Sequence, residues 1–204
     1  IKKIAQQIKS IVESGKYTAG DIMVLVQQRN QFVAPLVSEL KKLDIPVAGS
    51  DRIVLPDFPM IRDLLNLVRW CLNQADDYSL CCVLKSPIFG LKEQDIFNLC
   101  KNKNDINQSR VRDDKNAVLT TVFEVLETLY PDIYSYLLDV KNKSEYMAPY
   151  SFFSYVLNNN NIKHNFISAL GNQVIDPMEE FMTICLSYER TQPGTLYHFI
   201  KWFI

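Results

Sequence analysis

The stretch Ser86-Pro87-Ile88-Phe89-Gly90-Leu91-Lys92 stands between two helical patterns and follows Lys85 directly. A Pro/Gly turn of this kind can aim backbone N–H groups and a helix N-terminus at a phosphate, with Lys85 and Lys92 supplying positive charge. The plainer reading is a helix–helix corner. A second polar cluster, Gln27-Gln28-Arg29-Asn30, closes the apolar run Ile22 to Val26. Residues at the carboxyl end of an α/β strand are where ligands usually sit. Asp76-Asp77 has the form of a carboxylate pair for acid–base work, but a helix cap accounts for it more economically. Cys81-Cys82 reads as a core cysteine beside its neighbour, because adjacent helical residues point in different directions. His164 and His198 lie in separate helical patterns without a ligand partner at short spacing, so no metal site is expected.

No string of the form G-x-x-x-x-G-K-[ST] occurs, and with 6 glycines there are few places to build another phosphate cradle. A G-x-S-x-G elbow, an H-E-x-x-H helix and paired zinc-ligand cysteines are also missing. No catalytic constellation converges, and the chain alone does not read as an enzyme or as the binder of a cofactor.

The elements that would position the two clusters differ in kind. Ile1, Ile4, Ala5, Ile8, Ile11 and Val12 repeat at helical spacing, and Gly15 and Gly20 close that helix. Asp21 to Val26 then reads as a buried strand. A second helix carries Val33, Leu36, Val37 and Leu40, with Pro35 near its first turn, and Ile45 to Gly49 reads as a second short strand. From Pro56 the pattern is helical only. Ile61, Leu64, Leu65, Val68 and Leu72 form a stripe that Leu67, Trp70 and Cys71 widen. Asp76 and Asp77 cap the next helix, and another runs from about Lys92 to Cys100.

Lys101 to Asn116 has almost no apolar content and is expected to be a mobile, solvated loop. Helices resume at Ala117 to Tyr130, Ile133 to Val140, Ser151 to Leu157 and Ile162 to Leu170. Asp176-Pro177-Met178-Glu179 combines a capping carboxylate, a first-turn proline and a reaching Glu. A last helix places Leu196, Phe199, Ile200 and Phe203 on one side. The fold class is mainly α, with a small partial α/β segment ahead of a helical subdomain.

The 204 residues hold 22 Lys+Arg against 23 Asp+Glu, a formal net charge of -1, so any contact with nucleic acid must be local. The 5 cysteines form no C-x-x-C pair, as in a reduced intracellular protein. No apolar run is long enough to span a bilayer, and the expectation is a soluble, cytoplasmic protein without membrane contact. Opening at Ile1 and stopping at Ile204 inside a helical pattern, the chain reads as a piece of a longer one.

Taken in order, GDIMVLVQQRNQFVAPLVSELKKLDIPVAGSDRIVL, DLLNLVRWCLNQADDYSLCCVLKSPIFGLKEQDIF, DPMEEFMTICLSYER and LYHFIKWFI resemble the UvrD/RecB class of superfamily-one DNA helicases. The likeness is strongest to its AddA-like helicase-nuclease branch of double-strand-break repair. It spans most of the chain, with Lys101 to Gly171 matched weakly.

The resemblance implies that residues 1–55 are the edge of the second RecA-like motor lobe and residues 56–204 a helical insertion of the 2B type. The class carries R-[ST]-[RN] at the strand exit beside the single-stranded DNA track. Here Gln27 replaces the first Arg, and Arg29 and Asn30 follow. Its T-P-x-x-G-I-G turn, which grips duplex backbone, corresponds to Ser86 through Gly90, Leu91 and Lys92, with Lys92 in place of the second glycine. Lys92 cannot cap the following helix as a Ser would, which weakens that helix start by roughly 1 kcal/mol.

ATP with Mg²⁺, unwinding and cleavage would belong to the intact protein and not to this segment. Its expected partners are DNA, an AddB-like subunit and the rest of the motor. The alternative is a helical protein-interaction module without DNA binding.

Overall fold

A computed structural model describes residues 1–26, 30–47, 55–114, 118–192 and 194–204, and the chain divides into two compact units, Ile1–Ile53 and Val54–Ile204. In the first unit the helical repeat of the opening residues forms α1 (Lys2–Glu13), which packs on α2 (Asn30–Lys42). Ala5 and Ile8 meet Leu36, Leu40 and Ile45, with Ile4, Val12, Phe32 and Leu43 around them.

After α1, Gly15 takes φ +71 and returns its N–H to the Val12 carbonyl at 3.1 Å, a backbone state open to glycine without a Cβ penalty. The end of α2 uses the same device without glycine. Asp44 adopts φ 55, and the N–H groups of Asp44 and Ile45 return to the Lys41 and Leu40 carbonyls, both at 3.1 Å. Because α2 already begins at Asn30, Pro35 falls inside the helix and not in its first turn, and its missing N–H removes one intrahelical bond.

The two strands read from the sequence do not form among the described residues. Asp21 instead closes a 3-10 turn, Ala19–Asp21, where its carboxylate accepts from the Thr18 N–H at 2.8 Å and the Thr18 hydroxyl at 2.7 Å. Residues 22–26 follow without a ladder, and Met23 and Leu25 are 82% and 86% exposed where a buried strand was expected. Ile45 is buried, but through the α1/α2 core; residues 48–50 lie outside the described residues. A strand gains its hydrogen bonds from a neighbouring strand, and no described segment supplies one.

In the second unit α3 (Pro59–Leu72) is the buried hub, with Met60, Ile61, Leu64, Leu65, Leu67, Val68 and Trp70 all out of solvent. Each such side chain contributes about 1.5–3 kcal/mol of hydrophobic stabilisation. Around α3 pack α4 (Asp77–Lys85), α7 (Pro131–Ser144), α10 (Ile175–Thr191) and α11 (Leu196–Phe203). Helices α8 (Pro149–Asn158) and α9 (Ile162–Leu170) complete that side, where Phe153 meets Phe181 at 4.8 Å between ring centroids. On the other side α5 (Glu93–Asp113) and α6 (Val122–Leu129) lie together, and Trp70 of α3 reaches Phe123 of α6 at 5.0 Å. The chain is mainly α, as the sequence indicates.

Three sequence expectations are corrected in this unit. The expected loop from Lys101 is the second half of α5 as far as Asp113; Lys115 and Asn116 lie outside the described residues. Its packed face is polar. The Lys103 ammonium meets the Asp77 carboxylate at 2.8 Å, and the Asn107 amide exchanges two bonds with the Thr120 backbone at 2.7 and 3.0 Å. Ala117 lies outside the described residues, and of the expected helix residues 118–121 are not helical: α6 starts at Val122, because Thr120 is held by Asn107 and the Thr121 hydroxyl caps the helix at Glu124. Asp176 is not a cap. The 3-10 turn Asn172–Val174 enters α10 in helical conformation, so the chain never takes the extended geometry a capping residue needs.

Candidate nucleic-acid interface

The corner joining α4 to α5 is built from its own side chains. Ser86, buried, donates its hydroxyl to the Val83 carbonyl at 2.7 Å and accepts from the Ile88 N–H at 3.2 Å. Its carbonyl accepts from Phe89 and Gly90, at 3.1 and 2.7 Å, and the Leu91 N–H returns to Leu84 at 2.9 Å. Ile88 is buried, and Phe89 sets its edge against Tyr136 at 5.8 Å. Gly90 turns the chain at φ +68 with no atom within 4 Å of where a Cβ would stand, so its surface is open. The result is a turn whose shape needs no ligand and whose tip faces solvent.

Charge at the corner is mixed. Lys85 pairs with Glu93 at 2.5 Å, both side chains exposed, and the ammonium holds the Glu93 carboxyl below its usual range. An exposed pair of this type adds little to stability and gives way readily to a competing anion. The Lys92 N–H donates to the Asp95 carboxylate at 3.1 Å, and the Tyr130 hydroxyl donates to the same carboxylate at 3.2 Å. Asp95 thus supplies the reaching half of a capping box, while Lys92 has no side-chain acceptor for the other half. Lys92 is exposed, and among the described residues its side chain forms no ion pair.

The sequence places Lys85, Ser86, Gly90, Leu91 and Lys92 in one feature, and the structure brings them together on the same corner. Ser86 shapes the turn from inside, whereas Lys85, Gly90 and Lys92 are exposed. Reading the turn by its lysines alone overlooks Glu93 and Asp95. Their signal is visible in hindsight as acidic residues in the first turn of a helix, where they complement its dipole. Gln27 and Arg29 lie outside the described residues, and Asn30 is the first residue of α2.

The other candidates have structural partners. Asp76 accepts from the Ser79 N–H at 2.9 Å and the Ser79 hydroxyl at 2.7 Å, the cap expected of it. Asp77 instead ties three elements, accepting from Lys103 and from the Val122 N–H at 2.8 Å each. His164 contacts Ser168 at 3.4 Å and His198 contacts Thr195 at 3.0 Å, each within or beside its own helix. No cluster of three or more His, Cys, Asp or Glu side chains that could hold a metal is present among the described residues. Nor is any described helix long and apolar enough to cross a membrane.

The sequence of residues 1–199 matches the family described as the UvrD-like helicase C-terminal domain. The chain belongs to this family. Among curated proteins, this UvrD-like domain is similar to an ATP-dependent helicase/nuclease subunit of Clostridium beijerinckii, 23% identical over 202 residues, which is 93% of this chain and 16% of that protein. It is also similar to the proteins of the same description from Clostridioides difficile and Clostridium acetobutylicum, 30% and 28% identical over 79 residues, or 39% of this chain and 6% of each relative. The UvrD-like chain therefore spans less than a fifth of the length of these relatives.

Proposed function

We propose that this UvrD-like chain is a segment of an ATP-dependent DNA helicase/nuclease of double-strand-break repair that guides DNA and docks on the rest of the motor. In this reading residues 1–55 form an edge of the second motor lobe, residues 56–204 form a helical insertion, and neither turns over ATP alone. ATP and Mg²⁺ act elsewhere in the parent, an AddB-like subunit is its partner, and the assembly works in the cytoplasm. The observation that carries the reading is the α4–α5 corner: an internally braced turn with open backbone at Gly90 and an exposed Lys92 beside it. Gly90 and Leu91 allow close approach of a duplex backbone. Lys92 and, once released from Glu93, Lys85 meet its phosphates, with Ser86 holding the turn. Gln27, Arg29 and Asn30 line the single-stranded track.

Binding of the chain to a forked DNA, followed by fluorescence anisotropy across a salt series, tests this. Lys92→Glu should lower affinity by roughly tenfold at low salt and reduce the slope of log K against log salt by about one. Identical affinity and slope for variant and parent would remove the corner from the DNA path.

A second reading, a docking module that ignores DNA, draws on Met23 and Leu25, whose apolar side chains stand in solvent. Concentration-dependent self-association, abolished by replacing both with Ser, together with no DNA binding at low salt, would favour it over the first.

A further inference from the structure

Cys81 on α4 and Cys100 on α5 are 19 positions apart in sequence, yet their Sγ atoms stand 3.9 Å from each other. Both are half-buried free thiols on the two helices that flank the corner. We propose that Cys81 and Cys100 form a redox pair, which a peroxide or a small disulfide oxidant converts into a disulfide that staples α4 to α5 around the turn. This goes beyond the DNA-guiding role and does not depend on it.

The distance is the first support. Sulfurs at 3.9 Å must approach by about 1.9 Å to reach bonding separation, within what side-chain rotation and a small helix shift provide. Cys82, although adjacent, points about 100° away around α4 and has no such sulfur neighbour among the described residues.

Surroundings give the second. The Lys103 ammonium, paired with the Asp77 carboxylate at 2.8 Å, lies near both thiols, and that carboxylate lies near Cys81. Burial and the neighbouring Cys100 and Asp77 push the Cys81 thiol up to about 12, which fits the later, resolving partner better than the first to react. With hydrogen peroxide the Cys100 thiolate attacks one oxygen, giving a sulfenic acid and hydroxide. Cys81 sulfur then displaces hydroxide from that sulfur, and its proton leaves with the departing oxygen as water. Overall two thiols and one peroxide give one disulfide and two waters, the sulfurs losing the two electrons the peroxide accepts.

The reduced chain, desalted and exposed to hydrogen peroxide, should lose two of its 5 maleimide-reactive thiols under denaturing conditions and regain them with dithiothreitol. Non-reducing peptide mapping should join the peptides holding Cys81 and Cys100. Cys82→Ser should behave like the parent, while Cys81→Ser and Cys100→Ser should each abolish the link. The thermal midpoint should rise by several degrees on oxidation in the parent and in Cys82→Ser only. Retention of all 5 thiols in the parent, or a link through Cys82, Cys71 or Cys185, or between chains, would overturn the proposal.

Discussion

Asp63 stands half-buried on the hub helix α3, where burial raises its carboxyl to about 6 against a smaller opposing pull from Arg62. The charged form is therefore disfavoured by the fold. Well below its ordinary value of 3.8 the group is protonated in both folded and unfolded chains and carries no penalty; from there to about pH 6 the unfolded chain ionises while the folded one resists, so stability is lost across that window and the loss is complete above it. Asp63→Asn should accordingly gain about 1 kcal/mol at pH 7.5, a figure discounted for the side chain's partial exposure, and a fraction of that at pH 4. Urea unfolding at the two pH values measures this, and an equal effect at both would contradict the burial argument. The paired carboxylates behave differently from each other. The role of Asp76 was legible because a cap acts within three residues. That of Asp77 was not, since Lys103 and Val122 meet it only after α5 and α6 have folded against α4.

At the scale of elements, α5 shows what patterning can miss. Its second half, from Lys101, lacks an apolar stripe, and composition alone assigns it to solvent. Yet Lys103, Asn107 and Arg110 fall at helical spacing on one face, and each bonds outside its own helix, to Asp77, Thr120 and Val118. The buried Thr120 backbone depends on Asn107 for both its N–H and its carbonyl. Asn107→Ala should therefore destabilise the chain by about 1–3 kcal/mol and quicken hydrogen exchange through the second half of α5. Unchanged exchange there would mean that other contacts hold the helix. By contrast α1, α3 and α11 were readable from 3.6-residue apolar periodicity, because their stability comes from the faces that periodicity reports. The segments read as strands failed for the opposite reason. Ile22 to Val26 has a strand's composition, but pairing is a property of two segments and one segment cannot show it.

For the whole molecule, a mainly helical chain of the UvrD-like C-terminal family presents an exposed Pro/Gly corner whose geometry is complete before any ligand arrives. Preformed turns lose little freedom on binding, which suits the proposed role of holding DNA while another part of the protein moves it. The mixed charge at that corner matters equally. Glu93 pairs with Lys85, and the Asp95 carboxylate stands at the Lys92 backbone, so negative charge sits beside both lysines and DNA should be held weakly and released easily, as the proposed guiding role requires.

Hydrogen–deuterium exchange of the chain with and without forked DNA tests this account most directly. The prediction is slower exchange across Ser86 to Asp95 on adding DNA, reversed by raising the salt, with α8 to α10 unaffected. Exchange that stays the same across the corner, while DNA is bound elsewhere or not at all, would contradict it.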